Sequence, residues 1–141
     1  PLISSGHTIS LPYSKIFLAS ASFSGVIALL AGAFMAHGFS DEVHSMRVEV
    51  FDIAVSYQFY NSIALLIVGL MCKIDRGLNK ILNLAGFFLC FGIILFCGTL
   101  YLQSLTKLGL PGFLTPIGGF SLILGWACIF FSSFVEHKLD V

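Results

Sequence analysis

Apolar residues fill four long segments of this 141-residue chain, and short polar stretches separate them. The segments lie at residues 16–36, 53–72, 82–104 and 116–134. A helix that crosses a hydrocarbon core of about 30 Å needs roughly 20 apolar residues. In lipid, backbone polar groups must be paired inside their own segment, which a helix achieves. The pattern therefore predicts that residues 1–141 form a single, all-α transmembrane domain with a four-helix bundle.

The second helix is predicted to begin before its membrane segment and to run over residues 41–72. Ser40 is a good N-cap, and Asp41 in the first turn suits the positive end of the helix dipole. Apolar side chains then recur at spacings of three and four residues, at Val43, Met46, Val50, Ile53 and Tyr57. This stripe predicts an amphipathic extension at the outer surface. We favour an extension packed on its own bundle over a collar lying on the membrane surface.

The composition supports a membrane location. Hydrophobic residues make up 57% of the chain and charged residues only 10%, whereas soluble domains carry about 25% charged residues. A surface this poor in charge would leave large apolar patches in water, so we expect lipid to cover it. The formal net charge is zero, and the chain therefore has no basic field that would hold nucleic acid.

Lysine and arginine are divided unequally between the two ends of the predicted helices. Five lie at one end, namely Lys15, Lys73, Arg76, Lys80 and Lys138. The other end has two, Arg47 and Lys107. Because cytoplasmic loops of membrane proteins carry the excess of positive charge, the first end is predicted to face the cytoplasm or its organellar equivalent. Both termini would lie on that side.

Small residues recur along two of the predicted helices. In the first helix they lie at intervals of four, at Ser24, Ala28, Gly32 and Ala36. In the fourth they alternate at intervals of three and four, at Gly118, Ser121, Gly125 and Cys128. Helices in lipid associate by close van der Waals packing, which small side chains permit. Both stripes predict tight helix contacts, either within the chain or with another membrane protein chain.

Polar side chains inside the spans fall in the leaflet away from the basic end. They are His37, Tyr57, Gln58, Asn61, Thr99, Tyr101 and Thr115. Gln58 and Asn61 are three residues apart and are therefore expected on one helix face. The set is either a hydrogen-bonded cluster that ties helix ends together or a pocket for a small molecule, a lipid headgroup or a quinone-like ligand. A proton or ion path is less favoured, because the spans contain no carboxylate or lysine.

No motif for catalysis, metal binding or a cofactor is evident. The four cysteines form no CxxC pair, and no two histidines have the i, i+4 spacing of metal ligands. Haem would need an axial ligand inside a span, and no GxSxG nucleophile elbow occurs. We therefore predict no enzyme activity, no metal and no cofactor.

Four stretches of the chain resemble the YgdD-like family of small membrane proteins, which includes the transmembrane-protein-256-like proteins. They are AGAFMAHG at residues 31–38, a stretch at 51–60 that ends in YQFY, LFCGTLY at 95–101, and one at 115–126 that begins TPIGG and ends in GW. They occur in order from about residue 16 to 134. The resemblance implies a four-helix protein of the bacterial or mitochondrial inner membrane, and it implies no activity.

Two positions depart from the family pattern. Met35 stands where the family usually has glycine, and Asn61 stands where it usually has histidine. Asparagine can form hydrogen bonds but cannot carry a proton at neutral pH, which argues further against a protonation mechanism. Two hypotheses follow: a structural or interaction module, as an accessory subunit or homo-oligomer, or a binder or carrier of a small apolar ligand.

Overall fold

Four helices make up the computed structural model, which describes residues 13–39, 45–76 and 79–135. They are α1 (Tyr13–Gly38), α2 (Ser45–Ile74), α3 (Lys80–Leu105) and α4 (Leu114–Ser132). Each is long and apolar enough to cross a membrane, which confirms the predicted fold class. The observed ends lie within a few residues of the predicted ones, except that the predicted start of the second helix at 41–44 lies outside the described residues.

The helices α2 and α3 occupy the middle of the bundle. The outer helix α1 packs mainly against α2, whereas α4 packs mainly against α3. At the end where α1 begins, Leu18 lies against Gly69 of α2, and Phe17 lies against Gly86 of α3. At the opposite end, Phe34 of α1 and Tyr101 of α3 both contact the ring of Phe51 in α2. Consecutive helices therefore run in opposite directions.

The contact between α1 and α2 is a seam in which buried residues alternate at spacings of three and four. On α1 the buried residues are Ser14, Phe17, Ala21, Ser24 and Ala28. The buried residues of α2 with the same spacing face α1, α3 or α4, and they are Phe51, Ala54, Gln58, Asn61, Leu65, Val68 and Cys72. This spacing averages 3.5 residues, close to the helical repeat, and so keeps the side chains on one side of each helix.

The predicted small-residue stripe on α1 leaves this seam toward the end of the helix. Ser24 and Ala28 are buried, but Gly32 is only half-buried and Ala36 is exposed. A Cβ atom added at Gly32 would meet only Val55, at an ordinary 3.6 Å. Because a step of four residues rotates about 40° beyond a full turn, a stripe of such steps winds off the packed face. Gly32 and Ala36 therefore lie outside the close contact with α2, and their contact with another membrane protein chain stays a prediction.

The predicted apolar stripe on α2 lies one residue away from the packed face. Met46, Ile53 and Tyr57 are exposed, whereas Phe51 and Ala54 are buried. One residue corresponds to a rotation of about 100° around the helix. The part of the extension that the structure describes therefore packs on the bundle through the neighbouring face and not through the predicted stripe. Val43 of the stripe lies outside the described residues.

The contact between α3 and α4 is a close one that small residues of α4 permit. Gly118, Ser121 and Gly125 are buried and face α3, while Cys128 is half-buried. A Cβ atom at Gly125 would come within 2.8 Å of Leu89. The fourth-helix stripe is thus used within the chain. Opposite its start, α3 contains one π-helical turn, Ile93–Cys97.

Candidate functional site

The side chain of Gln58 connects three helices. Its Nε2 donates to both the carbonyl oxygen and the Oγ atom of Ser24 in α1, at 3.2 Å each. Its Oε1 accepts a 2.5 Å hydrogen bond from the hydroxyl of Tyr101 in α3. The Gln58 side chain is buried, and both ends of its amide are therefore paired with neighbouring helices rather than with lipid.

A serine that sequence reasoning missed completes this group. The Oγ atom of Ser62 donates to the Gln58 carbonyl oxygen at 2.6 Å and lies 2.7 Å from the Oγ atom of Ser24. Ser62 follows Gln58 by one helical turn, so the spacing offered a signal. A serine in a membrane helix, however, can satisfy itself on the preceding turn, and nothing in the sequence showed that it also faces Ser24.

Asn61 binds a different helix. Its Oδ1 accepts a 3.0 Å hydrogen bond from the indole Nε1 of Trp126 in α4, and its Nδ2 donates to the Tyr57 carbonyl oxygen at 2.8 Å. Gln58 and Asn61 are both buried, as a shared face requires, yet Gln58 bonds to α1 and α3 whereas Asn61 bonds to α4. Trp126 was not among the predicted site residues.

The remaining predicted residues are dispersed. Thr99 and Thr115 share a 2.8 Å hydrogen bond that joins α3 to α4. The ring of Tyr57 is half-exposed and lies 5.1 Å from that of Phe96. His37 is exposed in the last turn of α1. The seven residues thus form three separate interhelical groups with two exposed members, rather than the lining of one pocket.

The buried polar side chains of the bundle are paired by hydrogen bonds within the chain. Among the described residues, every buried side-chain nitrogen and oxygen atom has a partner. In the same part of the chain, no three His, Cys, Asp or Glu side chains converge as metal ligands would. The described cysteines are all free thiols, and Cys72 donates to Asn83 Oδ1 at 3.3 Å. The arrangement can hold helices together, and its polar atoms are already engaged.

Grooves open on the sides of the bundle. One, of about 370 Å³, runs between α1 and α3 over α2. Ile27, Ile94 and Cys97 contribute to its apolar walls, and Gln58 and Tyr101 stand toward one end. Another groove, of about 450 Å³, lies between α2 and α4 and is lined by residues that include Phe96, Ile123 and Trp126.

Comparison with known proteins identifies relatives over most of the chain. The family model described as "Protein of unknown function (DUF423)" matches residues 31–119. The UPF0382 inner membrane protein YgdD of Escherichia coli K12 is 34% identical over 114 residues, which are 81% of this chain and 86% of that protein.

Similar proteins occur in Gram-positive bacteria. A UPF0382 membrane protein of Staphylococcus epidermidis is 37% identical over 113 residues, covering 79% of this chain and 89% of its own length. The UPF0382 membrane protein YwdK of Bacillus subtilis is 30% identical over 115 residues, covering 82% and 93%. No solved structure matches the chain.

Proposed function

This chain belongs to the DUF423 family of unknown function, and we propose that it is a non-catalytic interaction module of the membrane, working as an accessory subunit or as a homo-oligomer. The observation that supports this most directly is the complete pairing of buried polar side-chain atoms in the described residues. Chemistry inside a membrane needs polar groups that a substrate can reach. Because the buried polar groups of this chain are paired with one another, we infer that the protein acts through contacts of its outer surface.

The outer surfaces of α1 and α4 are the parts that could contact another chain. Leu29 and Leu30 of α1 are each more than 60% exposed, as are Phe120 and Ile123 of α4. The small-residue stripe of α4 is already occupied by α3, so another chain would have to pack on these outer faces. Gly25 of α1 offers room for such a contact, because no atom lies within 4 Å of a Cβ built there.

Native mass spectrometry after extraction in a mild detergent, with photo-crosslinking in the membrane beforehand, tests this proposal. A crosslinker at Leu30 is expected to capture a second chain, either another copy or a different membrane protein, whereas one at the buried Leu65 should give none. The matched substitution is Gly25→Leu, which should weaken the complex while the monomer stays folded. The proposal would be refuted if crosslinkers at Leu30 and at Phe120 both captured no second chain and native mass spectrometry found only the monomer.

The groove between α1 and α3 supports a second candidate function, the binding of a small apolar ligand. Its walls are apolar over most of their area, with Gln58 and Tyr101 toward one end and Ser20 and Cys90 toward the other. Ile27 lines the groove and is 38% exposed, so Ile27→Trp should fill it from the lipid side. If the groove holds a ligand, a small-molecule mass retained by the wild type will be lost in this variant. If the wild type and Ile27→Trp both retain the small molecule, or neither retains one, the result counts against ligand binding in this groove.

We also propose an inner-membrane location, bacterial or mitochondrial, with the ends that carry Lys15, Lys73, Arg76 and Lys80 on the cytoplasmic or equivalent side. In intact bacterial cells a membrane-impermeant maleimide should label Lys107→Cys, whereas Arg76→Cys should react only after permeabilisation. The native cysteines lie within the helices, away from such a reagent. The reverse labelling pattern would show that the orientation is wrong.

A further inference from the structure

Three helix ends that carry positive charge lie side by side at one end of the bundle. The first turn of α1 packs against α3, with the ring of Tyr13 at a centroid distance of 5.4 Å from that of Phe87, about two turns into α3. The last turn of α2 joins them through the hydrogen bond from Cys72 to Asn83. The first residues of α1 and α3 and the last residues of α2 therefore form one continuous surface.

Four exposed cations occupy this surface, which we call the basic end: Lys15, Lys73, Arg76 and Lys80. None of the four forms an ion pair with another residue that the structure describes. The carboxylate of Asp75, which lies among them, accepts a 2.6 Å hydrogen bond from the backbone nitrogen of Asn79. Counted over the residues that the structure describes, the basic end thus carries three more positive than negative formal charges, four against one.

The positions of two of these lysines are not explained by helix stability. Lys15 lies in the first turn of α1 and Lys80 is the first residue of α3. The amino-terminal end of a helix carries a partial positive charge, which disfavours a cation there. Neither first turn contains an acidic residue that would compensate. A negative partner outside the chain would offset this cost.

The opposite end of the bundle differs in charge. Its described cations are Arg47 and Lys107, and the carboxylates Glu49 and Asp52 are exposed beside them. Arg47 is also engaged within the chain, because its Nε donates to the Ser104 carbonyl oxygen at 2.8 Å. The formal charges at this end balance, and an unbalanced positive field exists only at the basic end of the described bundle.

We propose that the basic end binds the headgroups of acidic phospholipids in the adjacent leaflet. The four side chains lie at the ends of helices that are long enough to cross a membrane. Tyr13, in the first turn of α1, is 46% exposed and is of a residue type that favours the membrane interface. Charge complementarity selects an anionic headgroup over a zwitterionic one. The inference depends on this charge arrangement and not on the interaction-module proposal.

Lipid retention from nanodiscs of defined composition tests the inference. The protein is reconstituted in equal amounts of phosphatidylglycerol and phosphatidylcholine with the same acyl chains, and bound lipids are identified by native mass spectrometry. The wild type should retain phosphatidylglycerol preferentially, with each cation contributing up to roughly a fivefold preference. The preference should fall in the triple variant Lys15→Gln, Lys73→Gln, Lys80→Gln, and it should weaken in high salt.

The matched control is Lys107→Gln, which removes one exposed cation from the opposite end and should leave the preference unchanged. If the triple variant does not fold, the single variant Lys80→Gln should show a smaller loss of the preference. An unfolding curve of each variant in pure phosphatidylcholine discs shows whether it is folded. Equal retention of both lipids by the wild type would overturn the inference. The inference would also be overturned if the preference for phosphatidylglycerol survived in both Lys80→Gln and the triple variant. The same holds if Lys107→Gln reduced this preference as much as Lys80→Gln does.

Discussion

Gly118→Ala is expected to destabilise the protein by about 3 kcal/mol, at the upper end of the usual cost of overpacking. A Cβ atom at this position would lie 2.8 Å from the Cα atom and 2.9 Å from the Cβ atom of Phe96. These neighbours belong to or adjoin the backbone of α3 and cannot rotate away, so the two helices would have to separate. Unfolding in mixed detergent micelles, followed by helical circular dichroism, measures the loss.

The same substitution at Gly98 is the control. Gly98 lies on α3, two residues after Phe96, and no atom lies within 4 Å of a Cβ built there. Gly98→Ala should therefore be neutral or stabilise by up to about 1 kcal/mol through helix propensity. If the two variants unfold at the same denaturant concentration, the close approach of α3 and α4 is not what holds the second half of the bundle together.

Gln58→Leu is expected to lower the free energy of unfolding by about 2 kcal/mol. This value lies between the larger cost of leaving a buried polar group unpaired and the smaller contribution of an average interhelical hydrogen bond in a membrane. The substitution keeps the side-chain bulk but removes the partner of Tyr101 and one partner of Ser24. The Tyr101 hydroxyl then loses the partner that the structure gives it, whereas the Ser24 hydroxyl keeps its hydrogen bond from Ser62. The free energy of unfolding in mixed micelles gives the magnitude.

Gln103→Leu provides the matched control for this prediction. Gln103 is exposed on α3 and makes no hydrogen bond with the residues that the structure describes. Its replacement should change the free energy of unfolding by no more than about 0.5 kcal/mol, as for most surface substitutions. A loss at Gln58 no larger than that at Gln103 would mean that the interhelical bonds of Gln58 contribute little to stability.

The four spans could be predicted from apolar length alone, because the hydrocarbon thickness sets a minimum length that few other structures require. The packed faces were harder to predict. Four-residue steps from Ser24 to Ala36 looked continuous in the sequence, yet the observed seam follows alternate steps of three and four through Ala21, Ser24 and Ala28. Periodicity identifies a helix readily, but an error of one residue rotates the predicted face by about 100°.

The partners of the polar residues could not be predicted from the sequence. Asn61 accepts from Trp126, which is 65 residues away, and no local pattern relates the two. Gln58 and Asn61 share a face by spacing, but which neighbouring helix each meets depends on how α1 and α4 are arranged around α2. That arrangement is set by close contacts such as Gly118 with Phe96 and Gly69 with Leu18.

Buried polar side chains bind the helices of this chain to one another, and a double-mutant cycle on Gln58 and Tyr101 measures the strength of one such bond. The cycle combines Gln58→Leu with Tyr101→Phe and measures the free energy of unfolding of each variant. The structure predicts a favourable coupling of about 1 kcal/mol from their hydrogen bond. A parallel cycle with Tyr57→Phe, whose hydroxyl makes no hydrogen bond with the described residues, should give no coupling. If the double variant loses only the sum of the unfolding free energies that the two single variants lose, the hydrogen bond between Gln58 and Tyr101 does not hold α2 and α3 together.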